Sequence, residues 1–120
     1  MSGELPPQMQ NQIVQLQQLQ QQLQVIVSQR TQLETKEREI SSTLEELEKT
    51  KKGTPIYKSI GTLLIRSDNK EDLKKELDEH KETISVRIKT LKKQEKTLNE
   101  RYQSLGEKLS EALKGSGQSN

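Results

Sequence analysis

Glutamine amides, lysine ammonium groups and carboxylates are the side chains with which this 120-residue chain meets other molecules. Ten of the seventeen residues from Gln8 to Gln24 are glutamine, and residues 5 to 29 carry no charge. A glutamine amide both donates and accepts, so it can hydrogen-bond almost any exposed backbone, and an uncharged surface is cheap to desolvate. This is the chemistry of a face offered to a partner, or of an ordinary glutamine-rich helix surface. Residue types for catalysis are missing. The single imidazole, His80, stands near the apolar stripe of a helical run, where packing is its expected role. There is no glycine-rich phosphate loop, no histidine and carboxylate grouping at metal-ligand spacing, and no nucleophile with a base beside it. The carboxylates read as solvated helix-surface groups. No enzyme, cofactor or metal site is expected.

The elements that position these groups follow from composition and periodicity. Only 28% of residues are hydrophobic, 32% are charged, and Phe, Trp and Cys are absent. Such a chain cannot bury a thick core, and the composition alone would suggest disorder. The apolar residues are strongly periodic, however, and a coiled coil needs only a narrow seam. Twenty basic residues nearly balance eighteen acidic ones, which argues against a dedicated nucleic-acid binder. Without cysteine there are no disulfides or thiolate metal sites, which fits an intracellular location. No apolar run reaches the roughly 18–20 residues of a membrane span. The start, Met1 to Pro7, has neither the basic nor the apolar region of a secretion signal, so none is expected.

With Met9 at position a, the a positions are Met9, Leu16, Leu23, Arg30, Glu37 and Leu44. The d positions are Gln12, Leu19, Ile26, Leu33, Ile40 and Leu47. Nine of these twelve are apolar and the register never breaks. Ile13, Val14, Val25 and Val27 spill off the seam. From Arg30 to Lys52 the arm turns densely charged, with six basic and six acidic residues. A second run carries d residues Leu77, Ile84, Leu91, Leu98, Leu105 and Ala112, with Ile88, Glu95, Tyr102 and Leu109 at a. Asp68 is the expected N-cap, with Glu71 completing a capping box. Each arm spans about 40 residues, or roughly 60 Å. A fold-back brings Leu16 near Leu105 and Leu23 near Leu98. Arg30 and Glu95 then fall in neighbouring layers, either as an ion pair that fixes register or as two side chains snorkelling to solvent. Lys81 to Arg101 carries seven basic and three acidic residues, read first as a solvated face and second as a dock for an acidic surface.

Between the arms the rule changes. Residues 56–60 and 63–66 are rich in β-branched and aliphatic side chains and flank Gly61-Thr62, a β-hairpin signature. Ile56, Lys58 and Ile60 share one face of the first strand, with Tyr57 on the other; Leu63 and Ile65 alternate with Leu64. An isolated two-stranded hairpin is marginal in water and leaves edges open. Both faces here are apolar, so the hairpin should pair with strands of other subunits. The fold expected is an all-α coiled coil with a small β-hairpin: helices over about 8–49 and 68–113, a hairpin region over 50–67, and a disordered tail over 114–120, all in one domain. Its two long helices run antiparallel, joined by the hairpin.

Five stretches carry a family resemblance: Leu5–Gln12 (LPPQMQNQ), Leu16–Gln22 (LQQLQQQ), Leu44–Glu48 (LEELE), Ile56–Arg66 (IYKSIGTLLIR) and Arg87–Lys96 (RIKTLKKQEK). Together they make the chain resemble the β-subunit family of archaeal prefoldins over about residues 4 to 114. The hairpin motif between two equal arms is the specific part. The resemblance implies a cytoplasmic ATP-independent chaperone, a hexamer of two α subunits and four β copies whose hairpins form an intersubunit β-barrel. Unfolded client proteins would be held at the distal coiled-coil tips and passed to a group II chaperonin. The motif puts assembly on Ile56, Tyr57, Ile60, Leu63, Leu64 and Ile65. It puts client contacts near Leu5, Met9, Ile13 and Val14, to which proximity in the hairpin adds Leu109, Ala112 and Leu113. One hairpin's worth of strand fits the β type. No nucleic acid or membrane partner is implied.

Two other readings compete. A coiled-coil adaptor would use the uncharged first-arm surface to dock one folded partner. A nucleic-acid-binding arm would use Lys81 to Arg101, with steep salt dependence.

Overall fold

The computed structural model describes residues 5–117. Helix α1 covers Pro7–Lys49, strand β1 Ile56–Ile60, strand β2 Leu63–Ser67, and helix α2 Lys70–Gly117. The chain divides into two compact units, one formed by residues up to Arg30 with those from Thr90 onward, the other by Thr31–Lys89.

In the Thr31–Lys89 unit the seam is a run of aliphatic residues. Ile40, Ile84 and Ile88 are buried together, with Leu33, Leu44 and Leu77 packed against them. All six occupy the a and d positions read from the heptads, because only that stripe faces the other helix on every turn. His80 is an exception to expectation: it is exposed rather than packed, since Leu77 and Ile84 hold the inward positions of that turn. The Lys74 ammonium donates to the Glu48 carboxylate across the two helices. This bond holds the Glu48 carboxyl below its ordinary value and raises the Lys74 ammonium above its own.

Helix α1 stops through local chemistry. Thr50 caps it, donating its N–H (3.2 Å) and its hydroxyl (2.6 Å) to the Leu47 carbonyl. The chain then turns through Lys51–Thr54, closed by Thr54 N–H to Lys51 O at 3.1 Å. Gly53 at the third position has φ of 86°, the left-handed geometry a type II turn demands and that glycine adopts without strain. Lys70 Nζ donates to Thr50 O at 3.1 Å and ties the start of α2 to this turn.

The cap of α2 differs from the expected one. Asn69, not Asp68, accepts from a backbone N–H of the first turn, that of Asp72, at 3.1 Å. The Leu73 N–H to Asn69 O bond, 3.2 Å, is the first of the helix. Asp68 instead faces Arg66 at 3.3 Å. Asparagine caps a helix as well as aspartate does, and Asp68 is held by Arg66. At its other end α2 runs to Gly117, so residues 114–117 of the expected tail are helical. Glycine and serine weaken a helix by at most about 1 kcal/mol each, which does not stop one already propagating. The rest of that tail lies outside the described residues.

In the other unit Leu91 is wholly buried, and Met9 and Leu109 are nearly so. Leu105 lines a groove with Leu19, and Leu98 one with Ile26.

Candidate functional site

The hairpin is built by alternation. β1 and β2 pair antiparallel with Tyr57 opposite Arg66, Lys58 opposite Ile65, Ser59 opposite Leu64 and Ile60 opposite Leu63. The two-residue link Gly61-Thr62 has positive φ only at Gly61, 58°, the pattern of a type II′ turn, whose twist matches that of the strands. Because side chains alternate, Ile56, Lys58, Ile60, Leu63 and Ile65 share one face, and Tyr57, Ser59, Leu64 and Arg66 the other.

Both faces present apolar side chains to solvent. Leu64 is 72% exposed, Leu63 62% and Tyr57 58%, with Ile60 and Ile65 close to half exposed. Ile56 alone of the six expected assembly residues is partly covered. The sheet has only these two strands, so both outer edges lack a strand partner within the described residues. Two charges anchor the hairpin: Lys58 Nζ meets Glu76 of α2 at 2.8 Å, and Arg66 meets Asp68. The result is a held platform of exposed aliphatic groups and open edges, which is a template for strands of other chains.

The expected client-binding residues divide by burial. Val14 and Leu113 are exposed; Leu5, Ile13 and Ala112 are partly covered; Met9 and Leu109 are buried. Seam and surface are therefore both represented, and the buried pair is unavailable while the helices stay together. Beyond them, Val25 is 55% exposed and lines an open groove with Ile26, Leu98, Gln22 and Arg101. Its signal in the sequence was its place off the seam. In the sequence Gln12 is simply a polar residue at a d position. Its Oε1 is buried and has no hydrogen-bond partner. The other polar layer is satisfied: Arg30 Nε donates to Glu95 Oε1 at 2.7 Å.

Among the described residues no three His, Cys, Asp or Glu side chains converge as a metal site would require. No helix there is long and apolar enough to cross a membrane.

Comparison with known proteins agrees with this architecture. The model of the family described as prefoldin subunit matches residues 10–116. The chain is 51% identical to prefoldin subunit beta of Archaeoglobus fulgidus over 92% of this chain and 95% of that one. It is 44% identical to prefoldin subunit beta of Methanothrix thermoacetophila, over 94% and 93%. The crystal structure of the prefoldin beta subunit from Thermococcus strain KS-1 superposes with a TM-score of 0.82 at 36% identity, covering 92% of this chain and 96% of that one. Two long helices joined by one two-stranded hairpin, with identity of this extent, mean that the chain belongs to the prefoldin subunit family, on its β side.

Proposed function

We propose that this chain is a β-type subunit of an ATP-independent holdase. It assembles through its hairpin into a hexamer of two α and four β subunits, and its helix termini hold unfolded polypeptide for delivery to a group II chaperonin. The observation that carries the assembly step is the hairpin itself. Five large apolar side chains lie exposed on its two faces, and both of its edges are open. Fully burying such a side chain is worth about 1.5–3 kcal/mol, so strand pairing with other subunits has a large driving force. A closed β-barrel removes every open edge at once.

The capture step rests on the charge-free segment from Leu5 to Gln29, which includes exposed Val14, and on exposed Leu113 in the last turns of α2. Apolar side chains take up the client's apolar groups, and glutamine amides satisfy its backbone. One terminus binds weakly; several around a common space bind by avidity, worth roughly 10²–10⁴ in affinity. Weak single contacts also permit release without a nucleotide.

The test is deletion of residues 1–14 together with those beyond 108. Suppression of aggregation of several unrelated denatured proteins should be lost, and the hexamer mass retained. Suppression that survives the deletion would place capture elsewhere. Protection of no denatured protein by the intact assembly would favour a dedicated adaptor.

A further inference from the structure

The unit formed by residues up to Arg30 and those from Thr90 onward carries a groove that the seam itself does not use. It measures about 990 Å³ and lies between α1 and α2. Its apolar floor is Ile26 and Leu98, both half-buried, with the more exposed Val25 beside them. Val25 and Thr97 are short, β-branched side chains, so they leave a depression next to the longer Gln22 and Arg101. Val25 stands eighteen residues into α1, about 27 Å from its start, so this surface is apart from the helix termini.

The rim carries charge of one sign. Lys93 and Arg101 line it, and no acidic residue does. Among the described residues neither cation is in an ion pair. From Thr90 to Arg101, α2 carries four basic and two acidic residues, and one of the two acids, Glu95, already faces Arg30. The first arm, uncharged from Leu5 to Gln29, offers nothing to offset the excess. A second groove, of about 660 Å³, shares Thr97 and Arg101 with the first and adds Lys108, with Glu100 as its one acid. Lys93, Thr97, Arg101, Ser104 and Lys108 recur every three or four residues and form one stripe along α2, roughly 22 Å long.

We propose that this groove docks an acidic amphipathic helix of another, folded protein. A notch between two paired helices is the shape that a third helix fills. The partner's apolar residues, spaced i, i+3 and i+7, cover Val25, Ile26 and Leu98. Carboxylates flanking that stripe meet Lys93 and Arg101, and glutamine amides at the rim serve its other polar side chains. Nucleic acid fits the surface less well. The lining holds no aromatic ring on which a base could stack, and its α1 side holds no cation. The partner differs from an unfolded client both in being folded and in where it sits.

The test measures the fluorescence anisotropy of a labelled peptide of about 18 residues, roughly 27 Å as a helix, with leucines at i, i+3 and i+7 and glutamates beside them. One control peptide carries lysine in place of glutamate, and another carries a central proline. The full-length protein should bind the glutamate peptide, and each control about tenfold more weakly. Lys93→Glu with Arg101→Glu should weaken the glutamate peptide and strengthen the lysine one. Val25→Gln should weaken the glutamate peptide several-fold. Circular dichroism should show helix content unchanged in both variants, since all three side chains are exposed. No binding of the glutamate peptide, equal binding of the proline control, or an unmoved affinity in the charge-reversed protein would overturn the proposal. Displacement of the peptide by an equal concentration of denatured lysozyme would give the groove to clients and overturn it too. Tighter binding of an oligothymidylate than of the peptide would do the same in favour of nucleic acid.

Discussion

Arg30 and Glu95 stand sixty-five residues apart in sequence and meet at 2.7 Å, the arginine Nε–H donating to Oε1, with a longer Nη2 contact of 3.5 Å to Oε2. Each side chain keeps about a quarter of its surface in water, 22% and 24%. The pair occupies positions where a seam of aliphatic residues would otherwise continue. Charges placed there cost desolvation that their attraction only partly offsets, so the gain lies in specificity. A slip of one heptad would part them, setting Arg30 against Ile88 and Glu95 against Leu23 one way, or Arg30 against Tyr102 and Glu95 against Glu37 the other.

Breaking the pair on one side should therefore cost more than removing it. Arg30→Met leaves the Glu95 carboxylate without this partner and should destabilise by about 1–2 kcal/mol, less than the 3–5 of a fully buried pair because water reaches it. Arg30→Leu with Glu95→Leu should restore or exceed wild-type stability. Urea unfolding of the three proteins checks this; a double variant weaker than Arg30→Met alone would contradict it.

At the hairpin, Leu64→Ser removes the most exposed apolar side chain of the platform. Little packing in the single chain depends on it, so helix content should be unchanged. Association should weaken by about 1.5–3 kcal/mol, roughly 10–100-fold in dissociation constant. Analytical ultracentrifugation across a dilution series measures it. Unchanged assembly would remove Leu64 from the interface.

The cap offers a sharper contrast. Asn69→Ala deletes the acceptor for the Asp72 N–H and should cost about 1 kcal/mol, whereas Asp68→Ala loses only an exposed ion pair and should cost half of that or less. Thermal melts of the two variants decide the order; the reverse order would return the cap to Asp68.

The Lys74–Glu48 pair should leave a pH signature. The hydrogen bond from Lys74 holds the Glu48 pKa below 4.5 in the folded chain. Its stabilisation is then present above the unfolded value and lost as pH falls through the folded one. The partner shift is upward from 10.5, so the ammonium's share is present below that pH and lost as pH rises past it. The melting temperatures of wild type and Glu48→Gln should differ in a window from about pH 5 to 10 and draw together only as pH falls below the lowered Glu48 value. High salt should narrow the gap, because both groups are close to solvent. A gap that does not shrink as pH is lowered from 5 would mean that the carboxylate charge is not its source.

Local rules were enough for most of the architecture. Apolar residues at a and d placed Ile40, Ile84 and Ile88 in the seam. Strict alternation around Gly61 placed Ile60 opposite Leu63 and set Leu64 apart from Ile65. Both periodicities are written in neighbouring residues, and neither depends on the rest of the chain. The charge-free run of glutamines was equally legible, as was the mismatch between an apolar hairpin and a chain with no core to cover it.

What the tertiary structure decided was the fate of individual polar groups. Asp68 is the cap that sequence predicts, yet Asn69 accepts the Asp72 N–H while Asp68 faces Arg66. His80 stood beside the seam by count and lies exposed by packing. Arg30 and Gln12 are both polar residues on a heptad stripe, yet one found Glu95 and the other found no donor. The physical reason is common to all of them. Periodicity fixes which face a side chain occupies, but which partner it meets on the other helix depends on the register between two segments distant in sequence, which no run of neighbouring residues encodes.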